Sequence, residues 1–247
     1  MPHSAATYRD QLRGFDPAVA SALAEALAVA PAGSAAAFDA DGTLWPQDIG
    51  EQLLKELAAA RRLPGTAVAD PWSEYLRRVA EDKRGAYVWA VQAMAGLSEV
   101  ELSGRCRDLA HRWTARIRRP MRALVGCCRQ AGLRTFLVSA SCRWAVEALA
   151  AASGVREADA IGIAVAVEGG KLTDVAIEPV SYADGKLLAL SLRSGGLPLY
   201  LAAGDSPTGD VPLLEKAQVA LAIGAALRDE AGRRGWLSQS FPDEVAS

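Results

Sequence analysis

The sequence has few of the residues that bind zinc or form disulfide frameworks: among its 247 residues are only four cysteines and two histidines. The cysteines are Cys106, Cys127, Cys128 and Cys142, and no two of them form a Cys-x-x-Cys pair. A structural zinc site or a disulfide scaffold is therefore not expected. We predict that the adjacent Cys127 and Cys128 are small core residues and not a redox pair.

Neither sign of charge dominates, because 27 Lys and Arg face 29 Asp and Glu, for a formal charge of −2. This balance predicts no nucleic-acid partner and no anionic membrane surface. A membrane-spanning helix needs roughly 20 continuous apolar residues, whereas Glu25 and Pro31 interrupt the alanine-rich residues 17–37. The first 15 residues lack the basic start and apolar core of a signal peptide. We expect a cytoplasmic protein, whose oligomeric state the sequence does not indicate.

The most informative stretch runs from Ala35 to Trp45 and reads AAAFDADGTLW. Its small and apolar start is typical of a buried strand in a parallel sheet. It ends at Asp39 and Asp41, whose side chains point to the same side of extended backbone, and at Gly42, which signals a turn. Ligands bind at the carboxyl ends of strands in open α/β sheets. Because clustered negative charge needs a cation or a proton to relieve it, we interpret this stretch as a site.

Residues 46–118 show helical periodicity and no strand pattern, which predicts a helical insertion. We expect four helices in it. They begin at Asp48, Pro71, Gly85 and Ser98. Asp70 is a plausible N-cap before Pro71, and Ser98 and Glu101 fit a capping box.

Beyond residue 119, predicted strands and helices alternate, which favours a parallel sheet with right-handed crossovers. Strands are predicted at 134–139, 160–168, 171–177, 198–203 and 219–223, and the glycine pair 169–170 signals a hairpin. Helices are predicted at 16–30, 120–131, 142–152, 184–194, 212–217 and 225–235. Ser141 is the expected N-cap of the helix at 142–152.

Four chemical features then coincide with the ends of predicted strands or the start of a helix. They are Asp39 with Asp41, then Ser139, then Lys186, and finally Gly204-Asp205 with Asp210. Each alone has an ordinary structural explanation, as a turn, a helix entry, a solvated lysine or a loop. Their order along the chain and their common position at strand ends together indicate one site.

This combination resembles the phosphatase branch of the haloacid dehalogenase-like hydrolase superfamily. Asp39-Ala40-Asp41-Gly42-Thr43 matches its first motif, DxDGT, and Ser139, Lys186 and Gly204-Asp205 with Asp210 match the second, third and fourth. The insertion between the first two motifs is similar to the cap of the phosphoserine phosphatase-like subgroup. Asp48 stands where that subgroup carries a substrate-contacting Glu, and residues 206–209 depart from its usual GDxxND loop.

The resemblance implies an α/β fold with a Rossmann-like core, residues 1–45 and 119–247, and an inserted helical cap domain, residues 46–118. It implies a Mg²⁺-dependent phosphatase that acts on a small-molecule phosphomonoester through an aspartyl-phosphate. The implied catalytic residues are Asp39 as nucleophile, Asp41 as general acid and base, and Ser139 and Lys186 as phosphoryl-binding groups. The implied metal ligands are Asp39, the Asp41 backbone carbonyl and Asp205, supported by Thr43 and Asp210. Asp48 and Glu51 are the candidate substrate contacts.

Other functions stay open at this point. A phosphotransferase would use the same intermediate with an acceptor alcohol in place of water, and a non-catalytic binding or regulatory domain would keep only the fold. The dehalogenase branch is disfavoured, because displacing halide from carbon needs neither a metal nor an acid. The aromatic and arginine residues of the insertion, Tyr75, Tyr87 and Arg84 among them, either select the substrate or pack the helices. The substrate itself is not named by the sequence.

Overall fold

A computed structural model gives the fold of residues 4–242, which are the residues that the structure describes. They contain eight strands: β1 (Ala35–Phe38), β2 (Arg134–Cys142), β3 (Ala160–Ile163), β4 (Val165–Glu168), β5 (Lys171–Ala176), β6 (Leu199–Gly204), β7 (Val219–Ile223) and β8 (Leu237–Gln239). Six of them form a parallel sheet in the order β3-β2-β1-β6-β7-β8, and β4 and β5 form an antiparallel pair.

Two helices of the described chain precede β1, and the others lie between the strands. They are α1 (Ala5–Gln11), α2 (Pro17–Ala28), α3 (Ile49–Ala59), α4 (Pro71–Glu81), α5 (Lys83–Gln92), α6 (Glu99–Trp113), α7 (Arg119–Gln130), α8 (Arg143–Ser153), α9 (Asp184–Ser194), α10 (Val211–Lys216) and α11 (Arg228–Arg234). None of the helices within residues 4–242 has the length and apolar character needed to cross a bilayer.

The side chains of β1 pack on both faces of the sheet, since successive residues of a strand point in opposite directions. Ala36 and Phe38 pack with residues of α1, α2 and α7. Ala35 and Ala37 pack with residues of α9, α10 and α11 on the other face. Counted in chain order within the sheet, the strands lie 3-2-1-4-5-6, which is the Rossmann order. The predicted Rossmann-like core is confirmed, and β1 and β6 meet where the strand order reverses.

The insertion consists of the four predicted helices, α3 to α6, between β1 and β2. Asp70 caps α4 as expected, because its carboxylate accepts a hydrogen bond from the Ser73 N–H at 3.2 Å. The predicted capping box at Ser98 is wrong. The Ser98 side chain caps nothing, and its backbone instead bridges to Lys171 of β5.

The predicted strand at residues 160–168 is in fact two strands that belong to different sheets. Residues 160–163 form β3 and pair with β2, whereas residues 165–168 form β4 and pair with β5. The hairpin signal at Gly169 and Gly170 is confirmed. The hairpin lies against the insertion, since the Gly96 N–H donates to the Leu172 carbonyl at 2.7 Å and the Leu172 N–H donates to Leu97 at 2.9 Å. An apolar run gives no sign of where a chain leaves one sheet for another.

Two short elements have no counterpart in the prediction, α1 and β8. The Gln239 side chain at the end of β8 accepts a hydrogen bond from the Asp16 N–H at 2.8 Å, so this end of the chain holds the start of α2. The four cysteines are buried and unpaired. Burial raises the pKa of Cys127 to about 11 and that of Cys128 further, which agrees with their prediction as core residues.

Candidate active site

Asp39 is the residue that directly follows β1, and it is buried at the edge of the sheet. Its N–H donates to the Ala203 carbonyl of β6 at 2.9 Å, which extends the strand pairing up to the carboxylate. Oδ1 accepts a hydrogen bond from Lys186 Nζ at 2.6 Å. Oδ2 is buried and has no hydrogen-bond partner among the described residues. A buried carboxylate oxygen without a donor is unusual, and Asp39 is one of the residues that line a cavity.

Lys186, in the first turn of α9, is buried and joins two carboxylates. Its Nζ lies 2.6 Å from Asp39 Oδ1 and 2.6 Å from Asp210 Oδ1. Burial alone would lower the pKa of Lys186, but the charges of Asp210 and Asp39 outweigh it and raise the pKa above its usual value. The other oxygen of Asp210, Oδ2, accepts the N–H groups of Asp205 and Ser206 at 3.0 and 2.9 Å. Asp210 therefore orients both the lysine and the loop after β6.

Asp205 follows β6 and lies against the turn after Asp39. Its Oδ1 accepts a hydrogen bond from the Thr43 hydroxyl at 3.2 Å. Gly42 has φ +80°, and a Cβ atom at this residue would lie 2.1 Å from Asp205 Oδ2. Glycine is required here both for the backbone conformation and to give the Asp205 carboxylate its place. The Asp-Gly pair of the sequence is thus part of the site as well as a turn.

Three carboxylates of this group fit a divalent cation. Asp39, Asp205 and Asp210 each offer an oxygen, and these oxygens lie within 4.8 Å of one another. Burial and the Asp210 charge raise the pKa of Asp39 well above its usual value. Burial and Asp210 also raise the pKa of Asp205 to about 6. A cation would relieve this repulsion, and an all-oxygen donor set suits Mg²⁺. Since both oxygens of Asp210 already accept hydrogen bonds, Asp39 and Asp205 are the better placed ligands.

Asp41 is held by four donors, two on each oxygen. Oδ1 accepts from the Trp45 indole at 2.7 Å and from the Ile49 N–H at 2.8 Å. Oδ2 accepts from the hydroxyls of Ser139 at 3.1 Å and Ser141 at 2.7 Å. The carboxylate has a fixed orientation, and hydroxyl groups that both donate and accept surround Oδ2. The Trp45 indole and the Ile49 N–H can only donate, so Oδ2 is the oxygen of Asp41 whose partners can also accept a hydrogen bond.

The assignment of Ser141 as the N-cap of α8 is wrong. The helix begins one residue later with Cys142 as its cap residue, because β2 continues to Cys142. The Ser141 hydroxyl reaches Asp41 and also Asp48 Oδ1 at 3.3 Å, and it accepts the Gly50 N–H at 3.2 Å. A second serine two residues after Ser139 lies on the same side of the strand, and this spacing could have predicted its position.

Two further residues hold the loop after β1, and sequence reasoning missed both roles. Trp45 is buried and orients Asp41 through its indole N–H. Arg118 is also buried, and its guanidinium donates to the carbonyls of Gly42 and Thr43, the latter at 3.0 Å. The sequence separates Arg118 from this loop by more than seventy residues, so no local pattern pointed to it.

Core and insertion together enclose a cavity of about 210 Å³. The predicted catalytic and metal-binding side chains lie at its floor. They are Asp39, Asp41, Ser139, Lys186, Asp205 and Asp210. The insertion supplies the opposite wall from three of its helices. The side chains there are Asp48, Glu51, Leu54, Tyr75, Tyr87, Val91 and Met94.

Asp48 and Glu51, the predicted substrate contacts, both line this cavity. Asp48 is the N-cap of α3 and accepts the Glu51 N–H at 2.7 Å. Burial, followed by the charge of Asp41, raises the pKa of Asp48 well above its usual value. Glu51 lies 3.4 Å from the Tyr75 hydroxyl, which donates to it, and 3.6 Å from Lys55 Nζ. The structure therefore brings every predicted site residue into one region, with Thr43 and Asp210 as supports.

The family model of the haloacid dehalogenase-like hydrolases matches residues 36–215 of the chain. This range contains each of the four motifs and the insertion between the first two. The chain belongs to this family. It is accordingly a hydrolase, and the family resemblance drawn from the sequence is confirmed. None of the curated proteins compared with the chain matches it.

Solved structures with the same fold include a protein of unknown function from Bordetella pertussis Tohama I. It is 24% identical, with a TM-score of 0.68, over 83% of this chain and 96% of that one. A phosphoserine phosphohydrolase-like protein from Francisella tularensis is 14% identical, with a TM-score of 0.59, over 86% and 98%. A phospho-aspartyl intermediate analogue of phosphoserine phosphatase is 19% identical, with a TM-score of 0.50, over 78% and 87%. The hydrolase therefore shares its fold with phosphoserine phosphatase-like proteins.

Proposed function

We propose that the protein is a magnesium-dependent phosphatase that hydrolyses a small-molecule phosphomonoester through an aspartyl-phosphate on Asp39. The observation that carries this proposal is the unpartnered Oδ2 of Asp39, a residue that lines the cavity together with the buried Lys186 and with Asp205. A nucleophilic oxygen must lack a competing donor, and its charge must be offset by nearby positive groups. The fold shared with phosphoserine phosphatases supports the same reaction class.

In the first half-reaction, Asp39 Oδ2 attacks phosphorus and the bond from phosphorus to the leaving oxygen breaks. Asp41 gives the proton on Oδ2 to the leaving alkoxide. Lys186 Nζ and the Ser139 hydroxyl bind the phosphoryl oxygens, over which the negative charge is spread in the transition state. The Ser139 hydroxyl now lies 3.1 Å from Asp41, so it would rotate toward the substrate.

In the second half-reaction, Asp41 Oδ2 takes a proton from water as the water oxygen attacks phosphorus. The bond between phosphorus and Asp39 then breaks, and inorganic phosphate leaves with the Asp39 carboxylate restored. Mg²⁺ would be held by Asp39, the Asp41 backbone carbonyl and Asp205, and would supply the positive charge that lets a phosphate dianion approach these carboxylates. Thr43 and Asp210 keep Asp205 in place.

We further propose that residues 46–118 act as a cap domain over a core of residues 1–45 and 119–247. Support comes from the cavity wall that α3, α4 and α5 provide. A cap that encloses the site excludes bulk water from the aspartyl-phosphate until the leaving alcohol departs. Asp48 and Glu51 would then contact the part of the substrate that lies beyond the phosphate.

The proposal is tested by phosphate release from a panel of small phosphomonoesters, with Mg²⁺ and with EDTA, for the wild type and Asp39→Asn. We expect metal-dependent turnover that the substitution abolishes, because a carboxamide is too weak a nucleophile. Asp184→Asn is the matched control, since Asp184 lies at the start of the same helix as Lys186 and does not line the cavity. Turnover that survives Asp39→Asn would contradict the proposal.

A further inference from the structure

The part of the cavity beyond the phosphate site is walled by aromatic rings and carboxylates. Tyr75 of α4, Tyr87 of α5 and Tyr182 before α9 all line it. The rings of Tyr87 and Tyr182 meet edge to face with centroids 5.5 Å apart, and those of Tyr75 and Tyr87 lie 6.4 Å apart. These three tyrosines form a continuous aromatic wall that spans cap and core. The face of an aromatic ring attracts cations, and quaternary ammonium groups are typical ligands of such aromatic surfaces.

Glu51 adds a carboxylate to the same wall, beside the buried carboxyl group of Asp48. Burial is the main reason that the pKa of Tyr75 lies above its usual value, and the charges of Asp48 and Glu51 raise it further. Burial and Asp48 likewise raise the pKa of Tyr87. Glu51 has a partial counter-charge in Lys55, 3.6 Å away. Lys55 lies over the Trp72 ring and does not line the cavity.

Positive side chains are scarce in this region. Among the described residues that line the cavity there is no arginine, and the single lysine is Lys186, which the floor carboxylates already engage. Three arginines of α4 and α5 pair with carboxylates that do not line the cavity. Arg77 and Arg78 pair with Glu74, and Arg84 pairs with Glu178 at 2.8 Å. A substrate carboxylate would therefore meet carboxylates and no cation, so the alternative that a cap arginine binds such a group has no support.

The geometry points to a substrate whose leaving group is a small alcohol that carries a cationic amine or quaternary ammonium group. This inference rests on the proposed phosphatase function, because it names the class of ester that the same cavity accepts. The phosphate lies at the floor against Asp39 and Lys186, and the cationic group lies against the tyrosine wall beside Asp48 and Glu51. A volume of about 210 Å³ is below the roughly 300–1,000 Å³ of pockets for drug-sized ligands, which suits an alcohol of a few heavy atoms.

The test compares kcat/KM for phosphocholine and for its neutral carbon isostere, in which a tert-butyl group replaces the trimethylammonium group. Phosphoethanolamine and phosphoserine complete the set, since they differ by one carboxylate. We expect phosphocholine to exceed the isostere by about tenfold, a typical effect of one desolvated charge interaction. Phosphoethanolamine should exceed phosphoserine. An isostere hydrolysed as well as phosphocholine would overturn the inference.

Substitutions of Glu51 and Asp48 test whether the cationic group of the substrate lies beside these two residues. Glu51→Gln keeps the acceptor for Tyr75 and should lower the ratio of phosphocholine to isostere by about tenfold. Asp48→Asn should lower it as well. Glu56→Gln is the matched control, because Glu56 lies on the same helix, pairs with Arg112 at 2.8 Å and does not line the cavity. It should leave the ratio unchanged. A ratio that both cavity variants leave unchanged would overturn the inference.

A chromogenic aryl phosphate separates this inference from the proposed function. Hydrolysis of that ester without any preference for cationic leaving groups would support the phosphatase function. It would contradict the inference that the substrate is an ester of a cationic alcohol. If no ester is hydrolysed, calorimetry with the Asp39→Asn variant still decides the cationic site. Tighter binding of phosphocholine than of its isostere would support the site, and equal or absent binding of both would overturn it.

Discussion

Lys186 Nζ lies 2.6 Å from Asp39 Oδ1 in the buried floor of the cavity. The same nitrogen lies 2.6 Å from Asp210 Oδ1, so one ammonium group bridges the carboxylate that follows β1 and the one at the N-cap of α10. The arrangement fixes Oδ1 of Asp39 and leaves Oδ2 as the reactive oxygen. It also makes the lysine a structural requirement, because without it two buried carboxylates would face each other.

The first prediction concerns this shared ammonium group. Lys186→Met should lower the free energy of unfolding by about 3–5 kcal/mol, the usual cost of removing one partner from a buried ion pair. It should also abolish turnover, since the phosphoryl oxygens lose their point charge. Urea denaturation followed by circular dichroism measures the first effect, and phosphate release measures the second.

Lys171→Met is the matched control for that variant, because Lys171 is exposed on the hairpin. Exposed charges contribute between about 0 and 1 kcal/mol, so this control should change neither stability nor turnover substantially. A Lys186→Met protein as stable and as active as the control would show that the buried bridge has neither role.

The second prediction is a pH dependence of the metal-free protein. The pKa of Asp205 is raised to about 6 by burial and by Asp210, so the folded state keeps a proton there that the unfolded chain loses near its usual pKa. The folded state thus binds more protons between these two values, and stability must fall as pH rises through this window. Thermal unfolding in EDTA from pH 4 to pH 7 should show this fall.

Added Mg²⁺ should oppose that fall, because it binds the ionised carboxylates of the folded state. The stabilisation by Mg²⁺, measured as the difference in Tm with and without the ion, should therefore grow as pH rises through about 6. A difference that is the same across this pH range would mean that the ion does not bind at these carboxylates.

The alternation of strands and helices beyond residue 119 can be predicted from the sequence, because the hydrophobic periodicity and the turn residues are local signals. The run from Ala35 to Phe38 predicted a buried strand, and Asp39 and Asp41 at its end predicted the floor of the site. These are short-range features, in which sequence spacing fixes the direction of each side chain. Asp205 follows β6, which pairs with β1, so the strand order brings it to the same end of the sheet. Lys186 reaches Asp39 from the first turn of α9.

The contacts that sequence reasoning missed all depend on long-range packing. Arg118 donates to Gly42 and Thr43 although an entire helical insertion separates them. Local helix-capping rules predict Ser141 as the N-cap of α8. In the structure its hydroxyl instead donates to Asp41, a contact between residues far apart in the sequence. The split of residues 160–168 between two sheets follows from pairing partners that no local pattern specifies.

The third prediction concerns the contact between Gly42 and Asp205. In Gly42→Ala the new Cβ would lie 2.1 Å from Asp205 Oδ2, so the carboxylate must move. We expect Mg²⁺ affinity, measured by calorimetry, to fall by about tenfold or more, because a ligand of the ion is displaced. Stability should fall as well, since φ +80° is unfavourable for alanine.

Gly33→Ala separates the displacement from the backbone strain. Gly33 has φ +84°, but a Cβ atom there would meet nothing within 4 Å. This control should lose roughly 1–2 kcal/mol of stability and keep its Mg²⁺ affinity. Equal losses of affinity in the two variants would assign the effect to strain alone and remove Asp205 from the metal site.

The fourth prediction concerns the hydroxyl of Ser141, which donates to Asp41 Oδ2 at 2.7 Å. This is the shorter of the two hydroxyl contacts at the oxygen that is proposed to carry the catalytic proton. Ser141→Ala should lower kcat by about tenfold, the equivalent of one hydrogen bond to a charged group. KM should change little, because the phosphate contacts on Lys186 remain. The pH profile of kcat should shift as well, since Asp41, the proposed general acid and base, loses the hydrogen bond from the Ser141 hydroxyl.

Ser153→Ala is the control that distinguishes orientation of Asp41 from general loss of packing. Ser153 is buried at the end of α8, and its hydroxyl donates to the Leu149 carbonyl at 2.9 Å, away from the cavity. Both variants should lose about 1 kcal/mol of stability, but only Ser141→Ala should lose kcat. If the two variants keep the same kcat and pH profile, then Ser141 acts on the fold alone, and Asp41 is oriented sufficiently by Trp45 and the Ile49 N–H.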